Sequence, residues 1–388
     1  MAIVMRWLKL PLLAASLPFV AFAGSAAAQE APVAPRISGP AVHENLSIYF
    51  IHGASAPGPV PLTLDEAMKA GAAVVHETGN VSKLAIENTG NEEVFIQAGD
   101  IVKGGRQDRV LTVSFVVPAR SGRVDIAAYC VEQGRWAARG AEDVKRFASS
   151  EKALPLREAK LAMLAPARPR PSNVGERSGL PPDATASASA ESTVNRTLRT
   201  QRINPEVDGY AGGTNRQAEM WMNVATAQRK LSEKLGQSVA ASTSASSLQL
   251  ALENTRLAEA RKAFVEKLEN APNGNADEAD IVGFVFAIGG KLSGGEVYAS
   301  HGLFAKMWKK QLEAAVTEAI AEKGAASPAP LSNGDVQAFL ARAATGKSSE
   351  TLVPSGALVR ETREADGALL TETRRQAGPV IHRSYLAF

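Results

Sequence analysis

Residues 73–88 read AVVHETGNVSKLAIEN, in which two apolar segments rich in Val, Ile and Ala flank the turn Thr78-Gly79-Asn80. Short β-branched segments bounded by Gly and Asn are typical of strands. A link this short joins antiparallel neighbours, because a parallel crossover needs about a dozen residues or more. The stretch therefore predicts a mostly antiparallel sheet.

The strand pattern continues on both sides of this stretch. A short helix is predicted over Thr63–Gly71, because Thr63 can cap it, acids occupy its first turn and Gly71 can close it. The Pro/Ala-rich residues 29–44 are predicted to be a flexible lead-in. The predicted strands of this half are Leu46–Ile51, Ala73–His76, Lys83–Glu87, Val94–Ala98, Val110–Pro118 and Val124–Val131.

Helical periodicity marks the second half of the chain. Residues 281–288 form an apolar strand pattern, and both Gly289-Gly290 and Gly294-Gly295 are interpreted as turn glycines. The predicted helices are Met220–Leu235, Leu250–Leu268, Phe304–Ala319 and Asp335–Ala344, the last capped from Ser332 or Asn333.

The C-terminal segment has a strong hairpin signal at Asp366-Gly367. Strands are predicted on either side of it, over Leu358–Glu364 and Leu369–Arg374, and a third over Pro379–Ala387. Strands, then helices, then strands predict an α+β fold, with a mostly antiparallel sheet, several amphipathic helices and a C-terminal hairpin or meander. We expect one such domain over residues 45–388.

Two segments are expected to lie outside that packed domain. Residues 1–28 resemble a signal peptide, because Arg6 and Lys9 precede a short apolar run that ends in Ala26-Ala27-Ala28. A retained anchor is the alternative. Cleavage would give an exported protein, periplasmic or secreted, with no stable membrane span. Residues 166–213 are rich in Pro, Ser and Ala and are predicted to be a disordered insertion.

Charge and cysteine content narrow the classes of partner. The formal charge is +3, and Arg6 and Lys9 supply two of those charges. The remaining chain has no basic character that would indicate nucleic-acid binding. Its only cysteine, Cys130, excludes an intramolecular disulfide, and the sequence indicates neither a cofactor nor a metal site. The oligomeric state stays open.

Two polar runs interrupt apolar, strand-like sequence, where unpaired charges are costly to bury. In the first, Arg106, Gln107 and Arg109 follow Gly104-Gly105. Glycines allow a backbone to approach a ligand, and arginine suits a carboxylate or phosphate. A hairpin turn with solvated arginines is the alternative interpretation.

The second run, Cys130–Trp136, contains the candidate catalytic residues Cys130 and Glu132 and the candidate binding residues Arg135 and Trp136. Cys130 could be a nucleophile if Arg135 or a histidine, best His301, lowered its pKa. A buried, inert strand cysteine is the alternative. Glu132 is expected to share the face of Cys130 and to pair with Arg109 or Arg135, either structurally or as a base.

These runs also carry a resemblance. Residues 99–111 (GDIVKGGRQDRVL) and 130–136 (CVEQGRW) resemble the signature of the ARG and rhodanese-phosphatase-superfamily-associated protein domain family. Weaker similarity at Gln217, Trp221 and Val224 extends it. Asp108 stands where the family typically has Asn, which changes two amide donors into an acceptor. The family's association with ADP-ribosylglycohydrolase and phosphatase-like proteins implies a nucleotide-sugar or phosphorylated ligand.

Three functions are therefore expected in order. The first is binding of a small polar or anionic ligand at Arg106, Gln107, Arg109, Arg135, Trp136 and His301. The second is a hydrolase or transferase acting through Glu132 or Cys130 on a phosphorylated or sugar-type substrate. The third is a structural or interaction protein with a buried charge network.

Overall fold

The fold is known from a computed structural model that describes residues 35–164, 213–274, 278–324, 329–353, 358–375 and 378–388. The predicted signal peptide at residues 1–28 lies outside these ranges. So does the predicted disordered insertion, apart from Gly213, which begins a helix. Residues 35–388 cluster as one compact unit.

Seventeen strands lie within the described residues. They are β1 Arg36–His43, β2 Leu46–His52, β3 Leu62–Thr63, β4 Ala73–Asn80, β5 Lys83–Asn88, β6 Val94–Ile96, β7 Asp100–Gly104, β8 Arg109–Leu111, β9 Phe115–Val117, β10 Ser121–Cys130, β11 Phe147–Ala153, β12 Ile281–Ile288, β13 Lys291–Tyr298, β14 Lys347–Leu352, β15 Leu358–Ala365, β16 Ala368–Arg375 and β17 Val380–Ala387.

Seven α-helices lie within the same ranges. They are α1 Leu64–Lys69, α2 Arg157–Leu164, α3 Gly213–Leu235, α4 Leu248–Leu252, α5 Thr255–Leu268, α6 His301–Ala321 and α7 Asn333–Ala344. Helix α1 begins with a capping box, in which Thr63 and Glu66 satisfy each other's backbone N–H groups. Ser332 and Asp335 do the same for α7, so the predicted cap is at Ser332.

An eight-stranded antiparallel sheet has the order β1-β2-β12-β13-β17-β16-β15-β14. Its alternating side chains serve two cores, because successive residues of a strand face opposite sides. Tyr49 and Ile51 pack against α7 with Phe339, whereas Ile48 and Phe50 face the main core with Trp308 of α6. The sheet is therefore covered by helices on both faces.

A second antiparallel sheet has the order β11-β7-β8-β10-β5-β4. Its two edge strands approach each other, because His76 and Arg146 form an isolated antiparallel bridge and Glu77 N–H donates to Lys145 O at 2.9 Å. The curled sheet brings the β7–β8 turn close to the irregular segment 131–146 that links β10 to β11. A small third sheet, β3-β6-β9, completes the architecture.

The α+β fold class, the antiparallel sheets and the C-terminal meander are confirmed. The flexible lead-in is wrong for residues 36–43, which form β1. Its Pro40 sits at a register shift in an edge strand, where a residue without an N–H is tolerated. Gly294-Gly295 lies inside β13, because backbone and Val285 approach so closely that a Cβ on Gly295 would lie 2.6 Å from Phe284 O.

Two predicted elements are each divided in the structure. The strand predicted over residues 110–118 is split into β8 and β9, because Thr112 turns to donate its N–H to Ala127 O at 3.1 Å. The helix predicted over residues 250–268 is split into α4 and α5. Asn254 caps α5 through its side-chain oxygen, which accepts from two backbone N–H groups.

Candidate functional site

The two polar runs meet at one end of the six-stranded sheet. The turn 104–109 joins β7 to β8, and the run 130–136 leaves β10 immediately beside it. A serine-rich segment before α4 closes the site from a third side: Ser246 Oγ donates to Gln133 O at 2.6 Å, and Leu248 N–H donates to Val131 O at 3.0 Å. Strand β10 ends at Cys130, so Glu132 lies in irregular backbone.

Asp108 is completely buried and accepts four hydrogen bonds. Arg139 supplies two of them, from Nη1 to Oδ2 at 2.9 Å and from Nη2 to Oδ1 at 3.1 Å. Ser247 Oγ donates at 2.9 Å, and the Gly104 N–H donates at 3.0 Å. A carboxylate has about four lone-pair positions, so Asp108 has no acceptor capacity left for a ligand.

Glu132 is equally buried and similarly satisfied. Its Oε2 accepts from Arg135 Nε at 2.8 Å and from the Asp108 N–H at 3.1 Å. Its Oε1 accepts from Ser244 Oγ at 2.5 Å, with Arg139 Nη1 3.5 Å away. We call the six residues Asp108, Glu132, Arg135, Arg139, Ser244 and Ser247 the carboxylate cluster.

The expected pairing of Glu132 with Arg135 is therefore present, and the alternative pairing with Arg109 is not. Arg135 also donates to Gly105 O and Gly104 O, both at 3.2 Å, and so fastens the run 130–136 to the β7–β8 turn. The sequence interpretation missed Arg139, Ser244 and Ser247. Arg139 follows Arg135 by four residues, which was the one available signal; the serines lie more than 100 positions along the chain.

Arg109 lies beside this cluster in a different environment. Its side chain is fully buried, and Nη1 donates to Gln107 O at 3.1 Å and Gln107 Oε1 at 3.4 Å. Among the described residues, Nε and Nη2 have no hydrogen-bond partner. The nearest carboxylate oxygen, Glu77 Oε2, is 3.6 Å from Nη2. Arg109 is thus a buried cation with an unsatisfied edge.

Trp136 covers this arginine from the solvent side. The Arg106 and Arg109 guanidinium carbons lie 5.5 Å and 5.9 Å from the Trp136 ring centroid. The indole is 46% exposed, which is unusual for so large an apolar side chain. We call Glu77, Arg106, Arg109 and Trp136 the Arg109–Trp136 surface.

Cys130 is buried, and burial raises the pKa of its thiol to about 11, although the Arg109 charge opposes that shift. Its backbone is held by Gln217 of α3: the Cys130 N–H donates to Gln217 Oε1 at 2.9 Å, and Gln217 Nε2 donates to Cys130 O at 2.8 Å. A protonated, enclosed thiol lacks the thiolate character that a nucleophile needs.

His301 makes its contacts elsewhere. It begins α6, where its Nδ1–H donates to Ile281 O at 2.9 Å and its backbone N–H donates to Ser55 Oγ at 2.9 Å. Both partners belong to the neighbourhood of β12, not to the β7–β8 turn. The expected partnership of His301 with Cys130 therefore finds no support in these contacts.

Two clefts lie elsewhere in the described part of the chain. One of about 700 Å³ separates β11 from the start of β4, and one of about 350 Å³ lies beside α1 and α6. None of the predicted site residues lines either cleft. Within the described ranges, no group of three or more His, Cys, Asp or Glu residues could hold a metal ion. No helix described is long and apolar enough to cross a membrane.

The architecture defines an α+β protein whose antiparallel sheets carry a buried carboxylate–arginine cluster at one end. A family model for the ARG and Rhodanese-Phosphatase-superfamily-associated Protein domain matches residues 34–173 and 183–386, and the chain belongs to this family. No curated protein and no solved structure matches the chain.

Proposed function

We propose that this protein binds a small anionic ligand at the Arg109–Trp136 surface. The observation that carries the proposal is the unsatisfied Nε–Nη2 edge of the buried Arg109 guanidinium. Buried donors without partners are rare, because leaving one unpaired costs about 1–3 kcal/mol. An anion that completes this edge would recover that free energy on binding.

The geometry of the edge favours a carboxylate or phosphate. Nε–H and Nη2–H point in parallel, so two oxygens of one ligand group can accept both hydrogens at once. Glu77 does not occupy this position, since its Oε1 accepts from the Gly79 N–H at 2.9 Å and its Oε2 stays 3.6 Å from Nη2. Entry to Arg109 requires movement of Trp136, which lies on an irregular, solvent-facing segment.

Trp136 and Arg106 supply the rest of the proposed surface. An exposed indole offers a flat face for a planar ring, and Arg106 adds a second cation at its edge. A phosphate attached to an aromatic base would use all three side chains. The family association with nucleotide-related proteins supports this choice, and phosphorylated nucleosides are the proposed ligand class.

The carboxylate cluster has a supporting role in this proposal. Asp108 and Glu132 have no spare acceptor positions, and both are fully buried. They fasten the segment that carries Trp136 to the turn that carries Arg109. The same burial argues against Glu132 as a general base and Cys130 as a nucleophile, because neither side chain can reach a substrate in this conformation.

Calorimetric titration with inorganic phosphate and with adenosine monophosphate tests the proposal. Arg109→Lys keeps the charge but removes the two-pronged edge, so it should weaken both probes about tenfold. Trp136→Leu should weaken adenosine monophosphate more than phosphate. Arg229→Lys is the matched control, because Arg229 is 61% exposed on α3 and pairs only with Glu233 at 2.9 Å.

The contradicting outcomes are specific. Absence of saturable binding by either probe, or equal binding by the native protein and Arg109→Lys, would remove the proposed site. If Arg109→Lys instead lowers the melting temperature and changes no affinity, Arg109 belongs to a purely structural network.

We also propose that the protein is exported, on the basis of the charged, apolar and small-residue order of residues 1–28. Fractionation of cells that express the full chain tests this. Protein confined to the cytoplasm with residues 1–28 intact would contradict export.

A further inference from the structure

A second constellation lies at the opposite type of sheet, on the first strands of the eight-stranded sheet. His52 Nδ1 lies 2.5 Å from Asp280 Oδ1, and His52 Nε2 lies 2.7 Å from Ser38 Oγ. The three side chains form a continuous Ser–His–Asp chain of hydrogen bonds. We call Ser38, His52 and Asp280 the Ser38 triad.

The strand register explains why these residues meet. In the β1–β2 pair, Arg36 is opposite His52 and Ser38 is opposite Phe50. Directly opposed residues place their side chains on the same face, and residues two apart along a strand share that face. Ser38 and His52 therefore lie diagonally on one face. Asp280 reaches them from the turn that leads into β12, where its carbonyl accepts from the Gly53 N–H at 2.8 Å.

The contacts of Asp280 define the protonation of the histidine ring. Its hydrogen bond with His52, followed by that with Arg36, lowers the pKa of Asp280, so it is a carboxylate near neutral pH. A carboxylate oxygen 2.5 Å from Nδ1 requires a proton on that nitrogen. The Nε2 lone pair then faces the Ser38 hydroxyl, whose proton it can accept. Arg36 Nη2 holds the other carboxylate oxygen at 2.6 Å.

Accessibility follows the order that catalysis requires. The His52 side chain is 2% exposed and fixed by its partners, whereas Ser38 is only partly buried on an edge strand. The ladder to β2 is interrupted directly after Ser38, between Ser38 and Ala41. Such bulges redirect side chains and occur often beside active sites. Neither described cleft includes Ser38, so the structure offers no deep acyl pocket.

We propose that the Ser38 triad is a catalytic site that hydrolyses small carboxylic esters, an activity separate from ligand binding at the Arg109–Trp136 surface. A nucleophile bonded to a base that is itself oriented by a carboxylate is recognised by geometry, independently of order in the chain. A small ester fits the open position of Ser38.

The proposed reaction proceeds in two balanced steps. Ser38 Oγ forms a bond to the ester carbonyl carbon while its proton passes to His52 Nε2. The ester C–O bond then breaks, and the departing alkoxide takes that proton as an alcohol, leaving acyl-Ser38. In the second step a water oxygen bonds to the acyl carbon and gives a proton to Nε2. The Ser38 C–O bond to the acyl group breaks, Oγ recovers the proton, and a carboxylic acid leaves.

A fluorophosphonate probe tests the nucleophile directly, because an activated serine displaces fluoride and keeps the phosphonyl group. The full-length native protein should carry one adduct on the peptide that contains Ser38. Ser38→Ala and His52→Gln should abolish labelling, and Ser38→Ala should lower kcat/KM for p-nitrophenyl acetate by about a hundredfold or more. Asp280→Asn should reduce labelling with Ser38 still present.

Ser348→Ala is the control, since Ser348 is an exposed serine on β14. Circular dichroism establishes that each variant is folded, and Ser38→Ala removes a single partly buried hydroxyl. Native protein without an adduct, an adduct on another serine, or a folded Ser38→Ala protein that hydrolyses the ester at the native rate would each overturn the proposal.

Discussion

Arg139 grips Asp108 with both terminal nitrogens, at 2.9 Å and 3.1 Å, although the two residues are 31 positions apart and Arg139 lies in irregular backbone. Parallel N–H groups facing two carboxylate oxygens form the strongest common charged contact between side chains. The segment 131–146 is held by this contact and by Arg135. Its position is therefore determined by buried charge, without a regular ladder.

Replacing Asp108 by Asn tests that dependence. Asn presents an NH₂ donor to one of the Arg139 nitrogens, so a donor meets a donor and a buried cation loses its charge partner. We expect the free energy of unfolding to fall by about 3 kcal/mol in urea titration. Asp125→Asn is the control, because its pair with Lys83 is exposed on both sides and should contribute about 0.5 kcal/mol or less. Equal losses in both variants would contradict the structural role of Asp108.

Gly105 should tolerate no side chain. Its φ is +54°, and a Cβ would lie 2.3 Å from the Phe147 ring. Gly105→Ala should lower the melting temperature, with a loss of about 2 kcal/mol from strain and displacement of the ring. Gly122→Ala provides a matched control, since nothing lies within 4 Å of its Cβ position. A native melting temperature in Gly105→Ala would show that the turn adapts.

Cys130 should be inert in the native protein. Burial raises the pKa of the thiol to about 11, so the thiolate is scarce at pH 8, and the side chain is enclosed. A disulfide reagent should modify it only after denaturation, and one cysteine per chain makes the signal unambiguous. The unfolded thiol ionises near pH 8.5, before the folded one, so this group should contribute a loss of stability as the pH rises from about 8.5 towards 11. Rapid native labelling at pH 8 would contradict this enclosure.

Glu318 predicts a second pH dependence. It is buried in α6, burial raises the pKa of its carboxyl group, and a hydrogen bond from Ser293 only partly offsets that effect. Above about pH 4.5 the unfolded chain releases this proton while the folded chain retains it, so stability falls as the pH rises through that range. Glu318→Gln should therefore raise the melting temperature at pH 7 and leave it nearly unchanged at pH 4. A larger gain at pH 4 would reverse the expected sign.

Gln217 should be a principal anchor of α3 on the sheet. Its amide satisfies both backbone groups of Cys130, and Gln217→Met would leave those groups unpaired at similar side-chain volume. We expect a loss of about 2 kcal/mol in the free energy of unfolding. Gln337→Met is the comparison, because Gln337 donates one exposed bond of 3.3 Å to Pro35 O. A smaller loss for Gln217→Met than for Gln337→Met would contradict the anchoring role.

Period and turn chemistry were sufficient to predict most regular elements. The alternation in β2 and the apolar faces of α3 and α6 are local properties, so the chain displays them directly. The burial of Glu132 and its pair with Arg135 followed from charge in apolar surroundings. The glycines of β13 misled the interpretation, because close packing of neighbouring strands and a turn require the same residue.

The rest of the site has no local signature. Ser244 and Ser247 approach the carboxylates only because the curled sheet and α3 bring distant segments together. The Ser38 triad joins residues separated by 14 and 228 positions, and no motif connects them. Such contacts depend on strand register and bulges, which periodicity does not determine.

The hydrogen bonds of Gln217 and Ser244 span 87 and 112 positions of the chain. During synthesis, β10 and the run after it emerge well before these partners exist. The N-terminal sheet must wait with the Cys130 backbone unpaired and the Glu132 carboxylate hydrated by water. Maturation of this region is therefore expected to be a late event, timed by the arrival of the helical half from the ribosome.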